Sequence, residues 1–181
     1  MESQPRLHLR PASEDDFAQC LALDHSYETE RVWQLSVSEK ADAKHISLQV
    51  VRLPQKKQVP YPYAGDALVQ RWCACEWFWV AEENGRLQAY ITAAIEKLTA
   101  AAWIYDIVVA PAYRRQGYGS HLLALAAVWA REQQAQQLLA AVATKNDPAM
   151  NFFRHNGFNF CGYNEASYRI KDISLFFSSK L

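Results

Sequence analysis

Two stretches of the chain are predominantly apolar and bounded by turn residues. Residues 87–95 carry Leu87, Ala89, Tyr90, Ile91 and Ile95, and residues 103–109 carry Trp103, Ile104, Ile107, Val108 and Val109 before Pro111. Short apolar runs rich in β-branched and aromatic residues predict buried strands. Residues 77–81 (WFWVA) predict a third strand, and the intervening Glu83-Asn84-Gly85 is a hairpin signal of the Asn-Gly kind. Ile46, Leu48 and Val50 alternate with polar residues, so a strand is predicted over 46–53 with those three on one face. Leu7 and Leu9 suggest a short first strand. Residues 54–62 hold three prolines and two lysines and read as a loop, while 24–44 are polar and aromatic without a clear period.

The helical period shows elsewhere. Ser13 followed by Glu14-Asp15-Asp16 predicts a capped helix start, with Phe17, Cys20, Leu21 and Leu23 behind it. Leu122, Leu123, Leu125, Ala126 and Trp129 mark an amphipathic helix over 117–132. A strand over 137–144 precedes Asn146-Asp147-Pro148, which starts a helix ending near Asn156-Gly157. Residues 158–163 and 169–177 predict two closing strands. Trp72, Trp77 and Trp79 read as core strand residues or a dimer face, and Cys73 and Cys75, two apart, would share a face if they lay on a strand. The order of elements is mixed α/β (α+β), in a single domain over residues 1–181.

Composition narrows the function classes. Half the residues are hydrophobic and 13% aromatic, enough for a sizeable core. Lys plus Arg and Asp plus Glu are 19 each, so the net charge is zero. A neutral chain has no global field to gather nucleic acid or an anionic membrane, so neither is an expected partner and any anion site must be local. The four cysteines form no C-x-x-C pair and belong to no metal-ligand cluster. With no leader-like apolar segment, they read as reduced thiols in a cytoplasmic protein without a metal.

The most specific chemistry lies in residues 104–123. An apolar strand enters a loop, then come Arg114, Arg115 and Gln116, then Gly117-Tyr118-Gly119 and Ser120, then a long helix. A helix N-terminus presents free N–H groups and about half a positive charge. Glycines let an anion approach the backbone. Strand, basic turn, paired glycines and helix together predict a pyrophosphate site. The lysine of a P-loop is missing, and the glycine spacing is not that of a dinucleotide fingerprint.

This segment resembles the Gcn5-related N-acetyltransferase superfamily, whose signature Arg/Gln-x-x-Gly-x-Gly/Ala is matched by Arg114, Gly117 and Gly119. A second motif of that family, Asn-x-x-Ala-x-x-Phe-Tyr-x-x-x-Gly-Phe, is matched from Asn146 to Phe158, with Phe153 in place of the tyrosine. The resemblance implies a mostly antiparallel mixed sheet of about seven strands flanked by helices, with a splayed parallel pair at the cofactor. It implies acetyl-CoA (coenzyme A) as cofactor. The backbone of Ile107, Val108 and Val109 would pair with the pantetheine arm. Arg114, Arg115, Gln116, Gly117, Tyr118, Gly119 and Ser120 would hold the pyrophosphate. Asn146 would hydrogen-bond the cofactor near its pantetheine or acetyl end, and Phe153 would also line the cofactor.

Acetyl transfer needs a neutral amine, and an ordinary lysine-like amine has a pKa of about 10.4, so deprotonation at pH 7 costs roughly 4–5 kcal/mol. Many relatives supply an acid through the tyrosine replaced by Phe153, and a glutamate at the position of Ala141. Both are missing here. On the strand of Ile107 and Val109, alternation places Tyr105 and Trp103 on the reacting face and Asp106 on the other. Tyr105 is therefore the first candidate for a role at the reacting centre, with a pocket-wall aromatic as the alternative. Asp106 reads as a structural hydrogen-bonder rather than a base, and Tyr163 is a third, weaker candidate. His155 reads as a solvated helix residue and His121 as packing. The C-terminal part from Phe160 through Tyr168 to Phe177 resembles the streptothricin acetyltransferase branch. That branch suggests a small-molecule amine acceptor carrying positive charge. Glu28, Trp33, Trp103 and Tyr105 are the substrate-binding candidates, since carboxylates and aromatics suit a cation. Alternatives are an aminoglycoside- or polyamine-like acceptor, a protein N-terminal or lysine acetyltransferase, a non-catalytic acyl-CoA sensor, and a structural interaction domain built on the tryptophans. A homodimer is the assembly in view.

Overall fold

The computed structural model describes residues 7–165 and 172–181. Tyr168 and residues 169–171 of the strand expected over 169–177 lie outside them. Seven strands form one sheet in the order β1-β4-β5-β6-β7-β9-β8, and β2 and β3 form a separate two-stranded sheet. β6 and β7 run parallel, while β1–β4, β4–β5 and β5–β6 are antiparallel. This is the mostly antiparallel mixed sheet that the motifs imply. The chain divides into two compact units, residues 7–25, 63–140 and 178–181 in one, and 26–62 with the described part of 141–177 in the other.

The first unit contains β1 (His8–Pro11), α1 (Phe17–Ala22), α2 (Asp66–Cys73), β4 (Trp77–Glu83), β5 (Arg86–Glu96), β6 (Ala101–Val109), α3 (Tyr118–Glu132) and the start of β7 (Gln137–Ala143). Residues 87–93 of β5 are buried without a break, because both faces of the strand are covered. On one face Phe78 and Tyr90 meet Phe17 of α1 and Trp72 of α2, with ring centroids 5.3–5.6 Å apart for Trp72–Tyr90, Phe17–Trp72 and Phe78–Tyr90. On α3, Trp129 stacks on Trp77 at 5.3 Å, and Leu122, Leu123 and Ala126 are buried. The hairpin between β4 and β5 turns at Asn84 and Gly85, both at positive φ (53° and 73°), the geometry that Asn-Gly favours.

Helix α2 departs from the expectation of a strand. Trp72 is a helical core residue at 2% exposure rather than a strand residue, and Cys73 ends the helix instead of sharing a strand with Cys75. The helix is only eight residues long and starts at Gly65 with no side-chain cap, so it carries neither a clear period nor a start signal.

The second unit contains the hairpin of β2 (Tyr27–Lys40) and β3 (Ala43–Val59), then α4 (Asp147–His155), β8 (Asn159–Asn164) and most of β9 (Ser174–Lys180). β3 runs on through residues 54–59, where the prolines and lysines predict a loop. Pro54 is tolerated because the ladder jumps from Arg31↔Arg52 to Thr29↔Lys57, and proline fits where strand pairing is interrupted. Ile46, Leu48 and Val50 do share a face, opposite Val37, Leu35 and Trp33. No described helix is long and apolar enough to cross a membrane.

At the start of the first unit, Ser13 opens a 3-10 turn over Glu14–Asp16 that leads into α1. Its backbone N–H donates to Asp16 Oδ2 at 2.8 Å. Arg10 of β1 donates to both oxygens of the same carboxylate at 2.7 and 2.8 Å. These bonds hold the nearly buried Asp16 carboxyl down at about 2, with Arg10 the main cause. A carboxylate depressed on folding contributes stability above its unfolded pKa and loses it as pH falls toward the folded one. Thermal stability should therefore decline between about pH 4 and 2 in part through Asp16. Asp16→Asn should lower the melting temperature at pH 7 and flatten that acid slope, and an unchanged slope would remove Asp16 as its source.

Candidate active site

The site grows from an incomplete strand pairing. β6 pairs with β7 only at Ala101, Ala102, Trp103 and Ile104, but with β5 as far as Val109. Ala110 N–H donates to Gln88 O at 2.7 Å. Antiparallel alternation then directs the N–H and C=O of Ile107 and Val109 away from β5, and those of Val108 toward Tyr90. An extended ligand can pair with such an edge as an added strand would. Of the three residues expected to pair with a cofactor arm, Ile107 offers its N–H and C=O and Val109 its N–H, the Val109 carbonyl being taken by Arg114 Nε at 2.9 Å. Val108 is 7% exposed and its backbone belongs to the β5 ladder.

Beyond Val109 the chain makes a 3-10 turn over Pro111–Tyr113 and reaches the basic glycine turn. Arg115 and Gly117 both take positive φ, 67° and 91°. Left-handed residues close together tip backbone amides into a concave, anion-binding arrangement. Gly117 is the N-cap of α3, and His121 N–H makes the helix's i−4 bond back to Gly117 O at 3.0 Å. The amides of Tyr118, Gly119 and Ser120 lie in the first turn, before the helix's own bonding begins. A Cβ at Gly117 would sit 3.4 Å from the His121 ring.

Three side chains brace this turn. Arg114 donates through Nε to Val109 O (2.9 Å) and through Nη2 to Asp24 O (3.1 Å), so its guanidinium locks the end of β6. Gln116 Nε2 donates to Ala112 O at 2.7 Å. Tyr118 is buried, with its hydroxyl donating to Glu83 Oε1 at 3.0 Å, and burial followed by that carboxylate pushes the hydroxyl's pKa up to about 12. Arg115 is the exposed cation beside the amides.

Where β6 leaves β7 it carries a bulge. The register passes from Thr92↔Asp106 to Ala93↔Ile104, so Tyr105 is an extra residue. The bulge overturns the simple alternation expected along β6, in which Tyr105 and Asp106 face opposite ways. Both meet Arg71 of α2. Arg71 Nε lies 3.1 and 3.2 Å from the Asp106 oxygens, Nη2 donates to Tyr105 O at 3.0 Å, and the guanidinium lies 5.0 Å from the Tyr105 ring and 4.7 Å from that of Tyr63. Thr92 Oγ1 donates to Asp106 Oδ2 at 3.0 Å, and the Asp106 side chain has no exposure. Tyr105 itself is 41% exposed. His25 Nε2 lies 3.0 Å from the buried Tyr90 hydroxyl, and burial lowers the pKa of that histidine. Nothing in the sequence singles out Arg71 and Thr92, since they belong to no motif and converge on Asp106 only through α2 and the sheet.

The other candidates lie in the second unit, apart from Trp103, which is half-buried on β6 between Ala94 and Leu139. Asn146 caps α4, its Oδ1 accepting from Ala149 N–H at 3.1 Å, which leaves the side-chain NH2 as the group for a ligand. Phe153 is 3% exposed, with its ring against Phe152 and Phe158. Trp33 donates its indole N–H to Asp147 Oδ1 at 2.9 Å and lies under Arg154. Glu28 is exposed and ion-paired with Lys56. Tyr163 is half-buried on β8.

Comparison with known proteins gives the family and the fold. The family model described as the acetyltransferase (GNAT) family matches residues 47–158, more than half the chain. The chain belongs to the GNAT acetyltransferase family. Acetyltransferases of this family use acetyl-CoA. A streptothricin acetyltransferase of Streptomyces lavendulae is 44% identical over 66 residues, which are 36% of this chain and 35% of that protein. The match thus spans about a third of that relative's length. The crystal structure of a nourseothricin acetyltransferase superposes with a TM-score of 0.83 at 25% identity, covering 96% of this chain and 98% of that one. A Bacillus anthracis str. Ames protein described as a streptothricin acetyltransferase, solved with acetyl coenzyme A, shares the fold (TM-score 0.77, 20% identity, 97% and 98% covered).

The GNAT turn allows a direct test. Gly117→Asp places a carboxylate and a Cβ where the amides converge, in a backbone conformation that disfavours side chains. It should weaken acetyl-CoA binding by at least about tenfold, near 1.4 kcal/mol, by calorimetry. An acidic N-cap suits α3, so the variant should fold, and unchanged affinity would place the pyrophosphate elsewhere.

Proposed function

We propose that this chain is an N-acetyltransferase that moves the acetyl group of acetyl-CoA to a primary amine of a small molecule, by direct attack in a ternary complex. The observation that carries the reading is the open edge of β6 running straight into the glycine turn of α3. An edge for an extended arm followed by a helix N-terminus for an anion fits the chemistry of coenzyme A. The local match to a streptothricin acetyltransferase, together with the TM-score of 0.83 to the nourseothricin enzyme, supports an acceptor of that cationic class.

When bound, acetyl-CoA supplies a thioester carbonyl to the attacking amine nitrogen, so that a C–N bond forms, the C–S bond breaks and one proton passes to the departing thiolate. The amides of the first turn of α3 would hold the pyrophosphate, with Arg115 beside them. The backbone of Ile107 and Val109 would align the arm, and a strand N–H would donate to the carbonyl oxygen as it gains charge. Tyr105, exposed at the bulge, would donate to the thiolate or orient a water. Phe153 has no proton to give, and Asp106 is already held by Arg71 and Thr92. Solvent would accept the amine proton, with positioning carrying much of the rate. For Asn146, Phe153, Glu28, Trp33 and Tyr163, the roles proposed rest on the family motifs and on each residue's own surroundings.

A thiol-release assay with acetyl-CoA and a panel of streptothricin, aminoglycosides, polyamines and lysine peptides tests the reading. Release with the cationic small molecules is the expected result, peptides alone would indicate a protein acetyltransferase, and binding without release for any amine would indicate a sensor. Tyr105→Phe should lower kcat by about tenfold if its hydroxyl serves the thiolate. A kcat within about twofold of the parent would remove that hydroxyl from the mechanism.

A further inference from the structure

Arg71 lies outside both sequence motifs, yet it reaches the reacting strand through two of its nitrogens and its guanidinium face. Its Nε meets both Asp106 oxygens, its Nη2 meets the Tyr105 carbonyl, and its plane lies against the rings of Tyr63 and Tyr105. Those contacts converge on the extra residue of β6, just past the last pair with β7. We propose that Arg71 is a positioning residue that fixes the bulge at Tyr105, and through it the direction of the β6 edge that aligns the acetyl group. The inference rests on the acetyltransferase reading.

A bulge leaves its extra residue outside the ladder, so the ladder alone does not determine where that peptide points. Here a planar, five-donor group fixes it from outside the sheet. Nε binds Asp106, whose carboxylate is also tied to Thr92 on β5, and Nη2 binds the carbonyl of Tyr105 itself. The bulge is therefore held from two sides, by β5 through Thr92 and by α2 through Arg71, whose guanidinium also lies 4.7 Å from the Tyr63 ring. A lysine would keep the charge opposite Asp106 but has no rigid fork to serve a carboxylate and a carbonyl together. The consequence falls on Ile107, two residues on, whose N–H and C=O follow the bulge. Displacements of about 1 Å at a reacting centre can lower rates on the order of a hundredfold without a comparable loss of binding.

The test uses the full chain and its Arg71→Lys variant. The expected result is a kcat at least about tenfold lower, an acetyl-CoA Kd within about threefold and a nearly unchanged melting temperature. Amide exchange at Thr92, Asp106 and Val108 should be at least about tenfold faster, with the β4–β5 amides near Asn84 unchanged. Support requires both the kinetic split and the local exchange, and either one at the parental level overturns the proposal. A purely structural Arg71 would lower the melting temperature and leave kcat alone. Should Arg71→Lys fail to fold, the neutral pair Arg71→Met with Asp106→Asn removes the buried charge. The same two readouts then decide. If the parent chain binds acetyl-CoA but acetylates no amine in the panel, the functional reading fails instead. The exchange measurement alone then decides whether Arg71 holds the bulge.

Discussion

Strand β6 has two neighbours for its first four residues and one for the rest, and the site follows from that change. Buried backbone N–H and C=O groups must find partners, and a sheet normally supplies them on both sides of an inner strand. At Ile104 the β7 ladder stops while the β5 ladder continues. From there on, one row of β6 polar groups is offered to something else. Part of the row is answered within the chain, by Arg71 at Tyr105 O and by Arg114 at Val109 O. The stretch between these two braces contains Ile107, where a ligand strand can complete the pairing. Two arginines from different elements thus bracket the open edge, and both act through backbone carbonyls.

The same economy appears in the turn. The molecule as a whole is neutral, so attraction for a pyrophosphate has to be generated locally. In the proposed site it would come chiefly from oriented dipoles, since left-handed Arg115 and Gly117 lead into the start of a fifteen-residue helix. Arg114, the motif's first residue, directs its guanidinium at carbonyls instead of outward. Tyr118 sends its ring inward to Glu83 and Tyr113, which ties the first helical turn to β4. The turn is therefore rigid before any anion arrives, and preorganised donors lose less on binding than flexible ones.

Much of this is legible in the sequence because it is local. The glycine turn, the Asn84-Gly85 hairpin, the capped start at Ser13 and the α3 stripe each depend on residues a few positions apart. What escapes a reading of the sequence depends on pairing over distance. The bulge at Tyr105 exists only in relation to Thr92 and Ala93, so alternation along β6 alone puts Tyr105 and Asp106 on opposite faces. Helix α2 is too short to show a period, and Arg71 points to Asp106 across thirty-five positions. Pro54 suggests a loop because proline is a poor strand residue, and only the partner strand shows that the ladder skips it.

The departures from the family's acid and base positions carry a kinetic meaning. Phe153 packs between Phe152 and Phe158, so its ring fills core volume where a tyrosine would have carried a hydroxyl. Asp106, the carboxylate beside the bulge, has both oxygens engaged and no exposure. A general acid or base contributes on the order of 10²–10⁴ in rate, whereas alignment of two reactants contributes more. A site without a dedicated base keeps the benefit of alignment, provided that its geometry is held tightly. Its rate then follows the neutral fraction of the acceptor, rising with pH toward the amine's own pKa of about 10.4 for a lysine-like group. In the proposed mechanism, rigid bracing of the β6 edge and the use of solvent as the base are two sides of one arrangement, in which precision of placement stands in for a side-chain base.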